Sequence, residues 1–160
     1  MISIRPATLD DVPLLTALIY EFADFEKERH LVTITEEDLR RDGFGERPKF
    51  RALMAESGGD VAGYAIFFEH FSTWFGRAAM FLEDLYVRPQ FRGQGIGKAL
   101  LARVAAVARK EHCFGMKWEV LDWNLPAIEF YRSIGAEMLE DRKLLLFSRE
   151  AFETMAREAF

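Results

Sequence analysis

The chain has 160 residues, half of them hydrophobic, and a formal net charge of −5 at pH 7. That length suits a single domain, residues 1–160, with a real core, and the acidic balance argues against a nucleic-acid surface while mildly favouring a cationic partner. No apolar run approaches the roughly 20 residues of a membrane span, no basic-then-apolar signal opens the chain, and the lone Cys113 excludes an internal disulfide or a multi-cysteine zinc site. The expected setting is therefore the cytoplasm, with no membrane partner.

The chain alternates α and β patterns. A short strand is predicted over residues 2–5, followed by a helix that Thr8-Leu9-Asp10-Asp11 can cap and that carries Val12, Leu15, Leu18, Ile19 and Phe22 at helical spacing. Thr35-Glu36-Glu37-Asp38 caps a second, short helix ending at Gly43. Strands over 50–56 and 61–69 flank Ser57-Gly58-Gly59-Asp60, a hairpin signal, and a third strand of the meander covers 77–87. A long helix runs to Lys110. Beyond it come a strand over 116–121, a helix over 124–134, a last strand over 143–147 and a helical segment over 149–160. Such an order makes an α/β fold in which helices flank a mixed sheet.

One loop carries chemical information. After the strand come Arg92-Gly93-Gln94-Gly95-Ile96-Gly97 and then Lys98, at the start of the long helix. Glycines there let backbone N–H groups converge on an anion at a positively polarised helix N-terminus, which predicts a pyrophosphate ligand. A Walker loop would need a glycine where Arg92 stands and a Ser or Thr where Ala99 stands; the dinucleotide fingerprint would need glycine at Leu100. Neither reading survives.

The remaining pattern, Arg92-x-x-Gly95-x-Gly97, resembles the coenzyme A loop of the GNAT superfamily of N-acetyltransferases. Residues 22–50, with Phe25-Glu26 and Asp42-Gly43-Phe44-Gly45-Glu46, then Leu82-Glu83-Asp84, and Trp123-Asn124-Leu125-Pro126 through Phe130-Tyr131, are similar to its spermidine/spermine N-acetyltransferase branch over nearly the whole chain. The resemblance implies a three-layer GNAT-type fold with a mixed, mostly antiparallel sheet flanked by helices. It also implies acetyl-CoA as the acetyl donor, with cofactor contacts at Leu85, Tyr86, Val87, Arg92, Gly93, Gln94, Gly95, Ile96, Gly97, Lys98, Asn124, Pro126 and Tyr131.

The chemistry explains the residue types. A primary ammonium has a pKa of about 10.4 and must lose a proton before it attacks a thioester. By the resemblance, Glu83 takes that proton, directly or through water, and Tyr131 serves the departing thiolate. Strand alternation puts Glu83 and Asp84 on opposite faces unless a bulge intervenes. The same resemblance implies amine contacts for Phe25, Glu26, Trp74, Glu83 and Trp118.

Two departures bear on the amine. Polyamine enzymes of the branch have an acidic residue where this chain has Ser72 and a tryptophan where it has Leu144. Both changes remove groups suited to a long polyamine, so a lysine-like amino acid or small diamine is at least as well matched. Acetylation of a protein lysine or N-terminus, or a coenzyme A binding module without activity, are the alternatives. His30, His70 and His112 have no metal-site spacing, and no metal is expected. A homodimer is expected, because family relatives pair through their C-terminal strands and Phe147, Phe152, Met155 and Phe160 are hard for one small domain to cover.

Overall fold

A computed structural model of the chain describes residues 1–159, which divide into two compact units, Met1–Glu119 and Val120–Phe160. The first contains strands β1 (Ile2–Pro6), β2 (Arg51–Ser57), β3 (Asp60–Ser72), β4 (Arg77–Val87) and β5 (Met116–Lys117), and helices α1 (Val12–Phe25), α2 (Glu36–Phe44) and α3 (Ile96–Lys110). The second contains α4 (Leu125–Ser133) and α5 (Arg149–Arg157). The sheet runs β1-β2-β3-β4-β5. Its first four strands pair antiparallel and β5 lies parallel to β4.

Local chemistry sets these elements. Gly58 and Gly59 take φ of 65° and 94°, the left-handed pair that a two-residue turn between β2 and β3 demands. Thr35 and Asp38 form the capping box of α2: the Asp38 N–H donates to Thr35 Oγ1 at 3.2 Å and the Thr35 N–H to Asp38 Oδ2 at 2.9 Å. Arg5 on β1 grips Asp11, just ahead of α1, with two bonds of 2.7 and 2.8 Å, and Glu56 on β2 with a third of 2.7 Å.

Two hydrophobic layers enclose the sheet. Val12, Leu15 and Leu18 of α1 and Leu39 of α2 pack on Met54, Tyr64, Ile66 and Tyr86. The alternate residues Leu53, Ala65 and Phe67 are also buried and face the other way, toward α3, whose Ile96, Leu100 and Val104 are fully enclosed. The three layers of the expected fold are all present.

Several boundaries differ from those the sequence suggests. The long helix begins at Ile96, not Lys98, and β3 extends from the expected 61–69 to Asp60–Ser72. The strand expected over 116–121 stops at Lys117, because the bulge in β4 described below turns its edge aside two residues past the Phe81–Lys117 pair. Residues 143–147 form no strand. An apolar run is only half of a strand; it also needs an edge to bond with, and Leu144, Leu145 and Leu146 stand 77%, 88% and 91% exposed. Of the expected helix over 149–160, α5 ends at Arg157, and Phe160 lies outside the described residues.

Candidate active site

The site grows from an irregularity in β4. Ile66 pairs with Asp84, but the next residue of β3, Phe67, pairs with Leu82, so Glu83 has no partner across the ladder. Cross-strand partners share a face: the Phe68 and Phe81 rings lie 5.3 Å apart and the Tyr64 and Tyr86 rings 6.3 Å apart. Counting up from Phe81 places Glu83 on the face of Ile66, and counting down from Tyr86 places Asp84 there too. The bulge defeats the alternation that would have separated them. Both carboxylates thus stand on the α1 and α2 side of the sheet.

Burial makes this face electrostatically tense. Tyr64, wholly enclosed, donates its hydroxyl to Asp84 Oδ2 at 2.9 Å. Desolvation nonetheless pushes the Asp84 carboxyl up to about 6, with the charge of Glu83 adding to it and the Tyr64 hydrogen bond opposing it. Glu26, at the C-terminal cap of α1, rises to about 7 through desolvation first, then the charges of Glu28 and Asp84. Glu83, exposed at its outer end, is also raised, by the desolvation of its inner part and by Glu119. None of Glu26, Glu83 and Asp84 forms an ion pair among the described residues. The face is therefore built to accept a cation.

The glycine loop lies against the same end of α1. Gly95 caps α3 in the left-handed region at φ 80° with no side-chain cap, and the first intrahelical bond runs from Ala99 N–H to the Gly95 carbonyl at 2.9 Å. The N–H groups of Ile96, Gly97 and Lys98 precede it and have no intrahelical acceptor. A side chain at Gly97 would meet only Val87 Cγ2, at 3.8 Å, so packing within the protein does not require glycine there and the backbone stands open to an approaching group. Gly63 shows the contrast. A Cβ on it would lie 2.3 Å from the Tyr86 carbonyl, so that glycine is what lets β3 approach β4.

Past Phe81 no strand among the described residues pairs with the outer edge of β4; alternation turns the backbone groups of Leu85 and Val87 to that edge and those of Tyr86 toward β3, so Leu85 and the Val87 N–H can meet an extended arm as an added strand would. The Arg92 Nε donates to the Val87 carbonyl at 2.9 Å, and its guanidinium stacks 4.5 Å above the Phe25 ring. Phe25, Glu26, Glu83, the β4 edge and the loop from Arg92 to Lys98 are thereby brought together, Gly93, Gln94 and Ile96 included. The donor set fits a diphosphate with an extended tail.

Other predicted residues are placed differently. Trp74 is 92% exposed at the tip between β3 and β4. Ser72, beside that tip, is six residues along β3 from Ile66 opposite the bulge, roughly 20 Å, so Trp74 does not reach the acidic face of its own chain. Trp118 is half-buried just past β5. In the second unit, Asn124 Oδ1 accepts from the Ala127 N–H at 3.4 Å and caps α4, Pro126 occupies its first turn, and the Tyr131 ring lies 5.2 Å from that of Phe130. Asp84 and Tyr64 are members of the site that pattern reasoning did not assign. Only the bulge reveals Asp84, and nothing in a strand's residue pattern marks a bulge without a glycine.

Residues 15–136 match the acetyltransferase (GNAT) family. The thialysine N-epsilon-acetyltransferase of Mus musculus is 42% identical over 160 residues, covering 95% of this chain and 94% of that protein. The spermidine/spermine N(1)-acetyltransferase-like protein 1 of Homo sapiens is 36% identical over 165 residues, covering 97% of this chain and 24% of that protein. Among solved structures, an integron cassette protein from the mobile metagenome of V. cholerae superposes with a TM-score of 0.76 at 25% identity, covering 98% of each chain.

The acidic face makes a prediction about stability. Asp84 and Glu26 retain protons to about 6 and about 7, whereas unfolded carboxyls lose them near pH 4, at about 3.9 and 4.3. The folded state thus binds more protons in that window, and its stability falls as pH rises through it. Asp11 has the opposite sign: Arg5 holds it at about 2, and its contribution is lost only as pH falls toward that value. The loss from Asp84 is about half complete at pH 5, so Asp84→Asn should raise the midpoint at both pH values and by about 2–4 °C more at pH 8 than at pH 5. An equal gain at both pH values would contradict the tension assigned to this face.

Proposed function

The chain belongs to the acetyltransferase (GNAT) family, and on that premise we propose that this N-acetyltransferase moves the acetyl group of acetyl-CoA directly to the primary amine of a small, lysine-like cation. The observation that carries the reading is the group Glu26, Glu83 and Asp84, which lacks counter-cations among the described residues and lies beside a glycine loop with uncapped N–H groups. A lysine-like or diamine cation satisfies the first and a diphosphate the second. The relatives named for thialysine and for spermidine/spermine support amines of this kind. Ser72 and Leu144 favour the shorter one.

When bound, acetyl-CoA supplies the thioester carbon that the amine attacks. The residues proposed to hold it are the loop from Arg92 to Lys98 at the diphosphate, the backbone of Leu85 and Val87 along the arm, and Asn124 and Pro126. Asp84 and Glu26 hold the ammonium by charge. Glu83, the unpaired residue of the bulge, takes its proton. From an ammonium of about 10.4 to a carboxyl of about 4.3 that transfer is uphill by roughly 8 kcal/mol, and each unit by which burial raises the carboxyl lowers it by about 1.4 kcal/mol. The upward shift of Glu83 works in that direction, and closure of the site over its exposed side chain would increase it. Tyr131 is the proposed hydrogen-bond donor to the departing thiolate.

The proposed enzyme is a single N-acetyltransferase domain, residues 1–160, in the cytoplasm, with no nucleic-acid partner. No helix among the described residues is long and apolar enough to cross a membrane. A homodimer is proposed because Leu144, Leu145, Leu146 and Phe147 form an exposed apolar run without strand partners, and Phe152 and Met155 of α5 are 58% and 51% exposed. Trp74, beyond reach of the acidic face of its own chain, would contact an amine only from a second copy.

Thiol release with acetyl-CoA and thialysine, ornithine, spermidine or a lysine-bearing peptide tests the reading. Thialysine should be turned over faster than spermidine or the peptide. Glu83→Gln should lower turnover about 100-fold or more, most at low pH, and Tyr131→Phe should lower turnover while leaving acetyl-CoA affinity intact. Near-normal turnover in both variants would refute these roles. Light scattering tests the assembly: twice 18.5 kDa is expected, and a fully active monomer at micromolar concentration would exclude the dimer.

A further inference from the structure

We propose that Arg92 is a positioning residue that ties occupation of the glycine loop to the ordering of the acidic segment Glu26-Lys27-Glu28, so that acetyl donor and amine each tighten the other's binding. The identities of the two ligands rest on the functional reading above; the link rests on geometry.

Arg92 is the hub of three elements. It opens the glycine loop, its Nε holds the Val87 carbonyl at the end of β4 at 2.9 Å, and its guanidinium lies 4.5 Å over Phe25, the last residue of α1, and 5.9 Å from the Tyr86 ring. The two Nη groups make no hydrogen bond or ion pair among the described residues, although Glu26 follows Phe25 directly. A guanidinium seated on an aromatic face with its outer donors open can meet an anion at the loop without leaving the ring.

The segment beyond Phe25 is one where holding matters. Lys27 adopts φ 62°, a left-handed conformation that a lysine takes at a cost. The turn is closed by N–H donations from Glu26 to the Phe22 carbonyl at 2.9 Å, from Lys27 to Asp24 at 3.1 Å and from Glu28 to Ala23 at 2.9 Å. All three acceptors lie in the last turn of α1, so the turn is only as firm as that helix end. Glu28 and Asp84 meanwhile repel Glu26. A diphosphate that immobilises Arg92 presses a fixed cation against Phe25 and steadies the helix end, and with it Glu26. By linkage, an amine that fixes Glu26 strengthens diphosphate binding by the same factor.

Backbone hydrogen exchange in the full chain, with coenzyme A at saturation as the probe, tests the link. In the wild type, coenzyme A should slow exchange at Ile96, Gly97 and Lys98 and, by about two- to fivefold, at Glu26, Lys27 and Glu28, the range a partly exposed cation–π contact supports. Phe25→Leu keeps the apolar volume without the ring face, and Arg92→Lys keeps the charge without the planar stack. Both should retain slowing at the loop and lose it at residues 26–28, while Phe25→Tyr should retain both. Undiminished slowing at 26–28 in Phe25→Leu, or wild-type slowing confined to the loop, overturns the link and leaves the loop assignment standing. Slowing at neither segment in the wild type overturns the diphosphate loop itself and the link with it.

Discussion

Strand β4 carries one residue more than β3 can pair, and the position of that residue governs the chemistry on both sides of it. Glu83 falls out of the ladder between Ile66–Asp84 and Phe67–Leu82, so two adjacent carboxylates reach one face of a sheet whose alternation would otherwise divide them. The pairing of β4 with β5 ends at Phe81, two residues before the bulge. Beyond it no strand among the described residues covers the outer edge at Leu85 and Val87. Acid face and open edge therefore both lie at one irregularity.

The arrangement is electrostatically costly by design of its parts. Asp84 keeps one hydrogen bond, from Tyr64, which lowers its pKa but does not offset desolvation, and Glu26 is raised by its own burial and by its acidic neighbours. Elsewhere the chain pairs its charges readily: Arg5 with Asp11 and Glu56, and Arg88 with Glu21 through two bonds of 2.9 and 2.7 Å. Glu26, Glu83 and Asp84 have no such partner among the described residues, and in the proposed reaction the ammonium of the substrate would supply one.

Much of this was legible in the residues. The hairpin at Gly58-Gly59 and the capping box at Thr35 are local signals, fixed by φ preference and hydrogen-bond reach, and both appear as read; the glycine loop opens the long helix as expected, but two residues earlier. The resemblance to GNAT enzymes carried the family and the fold. What escaped is non-local. A bulge depends on how two strands align over their whole length, so the placement of Asp84 beside Glu83 could be named only as a condition. The apolar run at Leu144 to Phe147 looks like a strand because its residues favour one, yet pairing depends on an available edge, which the residues cannot announce. Trp74 was assigned by resemblance alone, and its distance along β3 from the bulge separates it from the face it was expected to serve.

In the proposed site, an amine would neutralise the mutually repelling carboxyls of Glu26 and Asp84. Carboxyl carbon NMR of the full chain, titrated with and without thialysine and coenzyme A, tests it most directly. Asp84 and Glu26 should titrate near 6 and 7 in the free protein, and both values should fall when the amine binds, since a nearby cation favours the ionised form. Carboxyls that titrate near 4 in the free protein and do not respond to the amine would contradict it.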